Sequence, residues 1–284
     1  MSVRRAGWVL GCSGCGFLAS TLRPNIGADA VARPIDEEDR EGALAGLRRR
    51  NFERILDRLE RLARPAGRTL LDVGCAHGWF LDAAARRGYA VHGLEPDRRI
   101  GTQAAKRGHD VTIGYFPADL PPGRRYDVVS FNDVFEHLPR PRSAMAECRR
   151  RLEPEGLLVL NVPNSRGVFF RLAALLSLIG LKAPYERMWQ QGFASPHVSY
   201  FHPEALARLA RREGLLEVYR GTLDSFEFNG LWQRLRYDRT SSILGSAATW
   251  VGIALTGPLL RRLPADISLQ IFMRNDRIGD SVQG

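Results

Sequence analysis

Residues Thr69 to Asp97 read TLLDVGCAHGWFLDAAARRGYAVHGLEPD, and the order of residue types in this stretch decides the fold. The apolar runs TLLDV and AVHGL have the length of buried strands, and FLDAAARRG between them suits a covering helix. A turn with two glycines joins the first strand to that helix, which is where an open parallel sheet binds its ligand. Gly74 and Gly78 carry no side chain, so backbone amides there can approach a ligand closely. A pyrophosphate cradle of the form G-x-G-x-x-G is not supported, because Ala76 and Trp79 stand where its second and third glycines would be. Asp72 precedes the loop, and Glu95 follows Gly74 by 21 residues at the end of the second strand. A carboxylate placed there can accept hydrogen bonds from both ribose hydroxyls, so the loop suits a nucleoside without phosphates.

The same alternation continues outward. DVTIG, YDVVSF and GLLVLNV are further short apolar runs, separated by IGTQAAKRG and RSAMAECRRRL. Buried strands alternating with helices predict an α/β fold with a doubly wound, mostly parallel sheet and helices on both faces. Upstream, Leu47, Phe52, Ile55, Leu56, Leu59 and Leu62 recur at helical spacing and predict an amphipathic lead-in helix. Residues 1 to 40 show little periodicity and read as an arm. The chain of 284 residues, 44% hydrophobic, is long enough for one large core and too apolar for disorder.

The formal net charge is +10, yet Lys106 and Lys182 are the only lysines. This skew toward arginine reads as coding bias and a solvated basic surface, rather than a nucleic-acid face; anionic lipid is the other partner such a charge would suit. Four cysteines make no disulfide framework, and Cys75 and Cys148 fall in core elements, so a reducing, cytoplasmic setting is expected. Cys12 and Cys15 have the spacing of half a zinc ribbon. Tetrahedral zinc needs four ligands and no second pair is present downstream, so no metal is assigned. The basic start and short apolar run of the first 20 residues also have the form of an export signal, against which stands the intracellular character of the α/β region.

On these residues the sequence resembles the class I S-adenosylmethionine-dependent methyltransferases, over about residues 45 to 275. LLDVGCAHG is similar to that family's first motif and GLEPD to its ribose-binding acid. YDVVSFNDVFEHL resembles its fourth strand, and RRLEPEGLLVLNVPN its L-x-P-G-G turn, with Glu155 in place of the first glycine. The sequence also resembles bacterial small-molecule enzymes whose N-terminal arm ends in a cysteine ribbon, of which this chain keeps only the second half. The resemblance implies a seven-stranded Rossmann-like sheet, with DISLQIFMRN as the seventh strand. It implies a domain over 46–284 after an arm at 1–45, with apolar cap segments at about 166–200 and 230–263. It also implies S-adenosyl-L-methionine as cofactor: Asp72 toward the amino group, Gly74, Cys75 and Gly78 along the methionine and ribose, and Glu95 on the ribose. Tyr115, Phe116, Asn132 and Asp133 complete the expected cofactor set, while Asp119 comes late for an adenine contact.

Methyl transfer from a sulfonium needs mainly positioning, but a hydroxyl acceptor must also lose its proton, and histidine suits that task at neutral pH. His137, in FEHL, is expected at the strand end, and PHVSYFHPEAL brings His197 and His202 over the same edge; His137 or His197 is the expected base. Two apolar stretches bear on the acceptor, Val168 to Leu181 and Ile243 to Leu260. The second has 18 uncharged residues, the lower limit for a membrane span, but Gly245, Gly252, Gly257 and Pro258 weaken it. A packed cap, with a lipid-linked or other small-molecule acceptor and contact with the inner face of the membrane, is the expectation. The segment NDVFEH lacks the N/D-P-P-Y tetrapeptide of nucleic-acid and protein-amide methyltransferases, and a non-catalytic relative would be expected to lose the loop glycines or Glu95. The sequence is silent on oligomeric state.

Overall fold

The computed structural model describes residues 2–24, 37–63, 67–225, 247, 251 and 263–276. In chain order the strands and helices are β1 (Ser2–Ala6), β2 (Val9–Cys12), β3 (Leu18–Ser20), α1 (Glu37–Leu62), β4 (Thr69–Val73), α2 (Trp79–Arg86), β5 (Ala90–Glu95), α3 (Arg98–Lys106), β6 (Asp110–Ile113) and β7 (Tyr126–Asn132). A 3-10 turn at Phe135–His137 leads to α4 (Pro141–Arg151), β8 (Leu152–Pro163), α5 (Val168–Leu178), α6 (Ala183–Met188), β9 (Ser199–Tyr200), α7 (Pro203–Arg212), β10 (Leu215–Leu223) and β11 (Ile267–Arg274).

Seven strands form one sheet in the order β10-β11-β8-β7-β4-β5-β6. The pairs from β8 to β6 are parallel. DISLQIFMRN does form the seventh strand, β11, and it enters antiparallel between β8 and β10. Alternation within each strand splits the core between two faces. Leu71, Val73, Val129, Phe131, Leu158 and Leu160 pack with Met145, Cys148 and Leu206 from α4 and α7. Leu70, Val128, Leu157, Val159 and Ile271 pack on the other face with Ile55, Leu56 and Leu59 of α1 and Phe80 of α2. Both faces are thus covered, which is why these strands read as continuous apolar runs. Strand order reverses at β4, with β5 on one side and β7 on the other, so the ligand crevice opens beyond Val73 and Asn132. Glu155, where the resemblance leads one to expect glycine, adopts φ 59°, a left-handed conformation that costs a residue with Cβ about 1–2 kcal/mol.

The N-terminal segment differs from the expected arm. β1, β2, β3 and β9 form a second, four-stranded antiparallel sheet. Val9 and Leu18 of this sheet are buried with Phe170, Ala173, Tyr185, Trp189 and Tyr200, so it supports the α5–α6 segment. Strands of two to five residues carry little periodicity, and their partner Ser199–Tyr200 lies far along the chain; a local reading misses both. Among the described residues no helix is long and apolar enough to cross a membrane. The stretch Ile243 to Leu260 lies outside the described residues except for Ala247 and Val251, as do the arginines that flank it and are expected to rim a membrane-facing surface, Arg234, Arg236, Arg239, Arg261 and Arg262.

Candidate active site

The loop after β4 is built on three positive φ angles: Gly74 at 72°, Ala76 at 48° and Gly78 at 80°. A Cβ on Gly74 would lie 2.5 Å from Val134 Cγ2, so the residue is fixed by space as well as by φ. The amides of Gly74 and Cys75 both donate to the Leu94 carbonyl, at 2.7 and 3.2 Å, tying the loop to the end of β5. Glu95 completes this tie. Its Oε2 accepts from the Ala76 amide and its Oε1 from the Asp97 amide, both at 3.0 Å. Each carboxylate oxygen has a second lone pair, so a ribose diol can still be held. The side chain is buried, and burial raises its pKa against the pull of those two amides.

Across the reversal point, Asp72 is clamped from β7. Ser130 Oγ donates to Asp72 Oδ1 at 2.7 Å and Asn132 Nδ2 donates to the same oxygen at 3.0 Å. Burial pushes the Asp72 carboxyl up to about 7 despite these two bonds. The Oδ1 atoms of Asn132 and of its neighbour in register, Asn161, are buried without a hydrogen-bond partner. Acceptors left unmatched beside a buried acid suit a ligand that brings donors and positive charge, such as an α-ammonium group. Ser130 is absent from the sequence-derived set, since a serine inside VVSF gives no local signal; the parallel register that pairs it with Asp72 does.

The other expected cofactor residues divide. The Cys75 thiol is buried against Leu81 and Ala104, and its Sγ fills the space beneath Gly93, so this residue offers the site its backbone rather than its sulfur. Tyr115 is half-exposed, whereas the Phe116 ring packs edge-on against Phe131 at 5.2 Å. Asp119 Oδ2 accepts from the Tyr115 amide at 2.7 Å and braces its own loop. Asp133 takes φ 56° and donates its amide to the Asn161 carbonyl, turning the chain off β7 into the histidine segment.

That segment gathers His137 and His197 with ring centroids 4.8 Å apart, over the buried carboxyl of Glu136. His137 Nδ1 lies 2.8 Å from the Pro196 carbonyl, which can only accept, so Nδ1 carries the proton and Nε2 is the basic nitrogen. Nε2 stands 3.9 Å from Glu136 Oε1. His197 is engaged at both nitrogens: Gln190 Nε2 donates to its Nε2 at 2.9 Å, and Nδ1 meets the Tyr200 hydroxyl at 3.2 Å. Tyr200 in turn donates to the Met188 carbonyl. Burial, and next the charge of Asp133, hold the Glu136 carboxyl well above the usual range. Glu136, His137 and His197 offer one ligand atom each within 4.8 Å, the set among the described residues that could approach a cation. His202 belongs elsewhere: its Nε2 lies 2.7 Å from the Cys15 carbonyl and its Nδ1 2.8 Å from Glu204 Oε2, at the start of α7. Cys12 and Cys15 sit at the β2–β3 turn, apart from this cluster.

A doubly wound sheet with a glycine loop, a ribose-competent acid and a buried acid at the reversal point defines a nucleoside-binding α/β protein. Comparison with known proteins narrows the class. Residues 47–218 match the family described as a methyltransferase domain. The ubiquinone biosynthesis O-methyltransferases of Methylococcus capsulatus and Klebsiella pneumoniae are each 32% identical, over 53% and 48% of this chain. The match spans 64% and 60% of those relatives, less than two thirds of their length. Among solved structures, the magnesium protoporphyrin IX methyltransferase of Synechocystis with bound SAH shares the fold at TM-score 0.54 and 13% identity, covering 88% of this chain and 90% of that one. A SAM-dependent methyltransferase from Archaeoglobus fulgidus does so at TM-score 0.50 and 18% identity, over 78% and 94%. The chain belongs to the methyltransferase domain family and is of class I, whose cofactor is S-adenosylmethionine.

The elevated pKa of Asp72 has a measurable consequence. Below about 7 the carboxyl holds a proton; with Asp72 at the amino end of the cofactor, as the unmatched acceptors suggest, that proton must leave on binding, so cofactor affinity should rise with pH and level off above neutrality. Titration calorimetry should show roughly tenfold or more weaker binding at pH 5.5 than at pH 7.5. In Asp72→Asn the profile should flatten and binding weaken at pH 7.5; a pH slope identical to that of the wild type would remove Asp72 from the site.

Proposed function

We propose that the chain transfers the methyl group of S-adenosylmethionine to a hydroxyl of a small molecule, with His137 taking the hydroxyl proton. The observation that carries this reading is the fixed tautomer of His137: the Pro196 carbonyl holds Nδ1–H, which turns Nε2 into the base. The cofactor supplies an electrophilic methyl group. Asp72 and Asn132 would hold its amino end and Glu95 its ribose, with the Gly74–Gly78 backbone between them. Glu136 lies beneath both imidazoles, with Nε2 of His137 and of His197 each 3.9 Å from its Oε1, while the base is oriented through Nδ1. His197 fixes the wall through Gln190 and Tyr200. That the curated relatives are O-methyltransferases supports oxygen as the accepting atom. We favour a sugar, glycolipid or lipid-like acceptor, because an apolar cap segment adjoins the histidines. Incubation with methyl-labelled cofactor and a panel of hydroxyl-bearing sugars, phenols and isoprenoid phenols tests this. The label should appear in an alkali-stable ether; label in a methyl ester or an N-methyl group would overturn the reading.

A further inference from the structure

Half of the large apolar side chains exposed among the described residues, five of ten, fall within ten positions of one element: Leu172 (50% exposed), Leu175 (60%), Leu178 (77%), Ile179 (71%) and Leu181 (56%). The first three recur every third residue along α5 and share one side of it. The other side of α5 is satisfied, since Phe170 and Ala173 are buried with Tyr185, Trp189 and Tyr200. A helix with one side packed and the other apolar and exposed has a second surface to meet. Charge selects which. From Val168 to Tyr185 there is no acidic residue, while Arg171 and Lys182 are exposed beside the leucines; Glu186 and Arg187, adjacent in the next turn, offset each other. Apolar side chains with a basic border match the boundary between anionic headgroups and acyl chains. A second copy is a poorer match, because each chain carries +10 and the two basic borders would face each other.

We propose that the exposed face of α5 and the Ile179–Lys182 turn seat the protein on an anionic lipid surface. The aromatic layer on the inner side of α5 includes Tyr200, whose hydroxyl contacts His197, so a protein seated this way carries the histidine cluster behind α5 and this layer, on the membrane-facing part of the molecule. Leucines immersed in the interface contribute by burial, and Arg171 and Lys182 by attraction to headgroups, so binding weakens with salt without vanishing.

Flotation of the full chain with vesicles tests this without cofactor or acceptor, so its failure would leave the proposed chemistry standing. Mixed phosphatidylglycerol and phosphatidylcholine vesicles should carry the protein at low salt, and pure phosphatidylcholine vesicles should carry much less. Leu175→Glu with Leu178→Glu should lower the partition at least about tenfold. Both positions are exposed, so the circular dichroism spectrum should be unchanged, and Leu62→Glu on α1 should bind as the wild type does. Three results would each overturn the proposal: no flotation with anionic vesicles, flotation that the double variant does not reduce, or a concentration-dependent dimer in sedimentation velocity that the double variant abolishes. The first would assign the face to cover by another segment of this chain, the last to a second copy.

Discussion

Replacing His137 by alanine should lower kcat by about 100- to 10,000-fold, the usual contribution of a general base, while leaving the affinity for S-adenosylmethionine unchanged. Cofactor and base are held by different parts of the structure. The proposed cofactor residues sit at the ends of β4, β5 and β7, whereas the His137 ring is held by the Pro196 carbonyl and the Ser195 hydroxyl. The two readouts should therefore separate. His197→Ala should behave differently, because it removes the partner of Gln190 and Tyr200 inside a packed wall. Its main effect should be a lower Tm, with activity lost through disorder of that wall. An activity loss in His197→Ala without a change in Tm, together with a fully active His137→Ala, would exchange the roles of the two histidines. With a more acidic acceptor the His137 effect should shrink, since a hydroxyl already ionised at neutral pH needs no base.

Glu95→Ala should weaken S-adenosylmethionine binding by about 100-fold. Two losses combine. The charge-assisted bonds to the ribose are worth about 1.5–3 kcal/mol, roughly tenfold to more than hundredfold by themselves. The same substitution also takes the acceptor from the Ala76 amide, and with it one anchor of the loop. Glu95→Gln separates the two, because an amide oxygen can still accept from Ala76 while the charge is gone, and its affinity should fall between those of Glu95→Ala and the wild type. Calorimetry on the three proteins measures this ordering. Equal affinity in all three would take Glu95 out of the cofactor site.

Much of the fold is legible in the sequence because strands buried on both faces leave short, uninterrupted apolar runs: of the five runs from TLLDV through GLLVLNV, which correspond to β4 to β8, only the edge strand β6 is not buried. The seventh strand is readable for the same reason. Spacing alone reaches the glycine loop and Glu95, since strand, loop and strand are contiguous. It misses Ser130, whose importance depends on parallel pairing with a residue 58 positions away. Nor does it separate His197 from His137; only their tertiary partners, a carbonyl for one and an amide with a phenol for the other, support the different roles proposed for them. The N-terminal sheet is unreadable for a related reason, since its last strand is the two-residue β9. Val168 to Leu181 is recognisably apolar, but which of its leucines face outward depends on the packing of Phe170 and Ala173.

Amide hydrogen exchange with and without S-adenosylmethionine tests most directly whether the loop after β4 is the cofactor site. Protection should concentrate in peptides covering residues 72–79, 95–97 and 130–134, where the loop amides, the Glu95 anchors and the Asp72 clamp lie. Binding that leaves these three segments unprotected, or that protects some other part of the chain instead, would contradict the assignment.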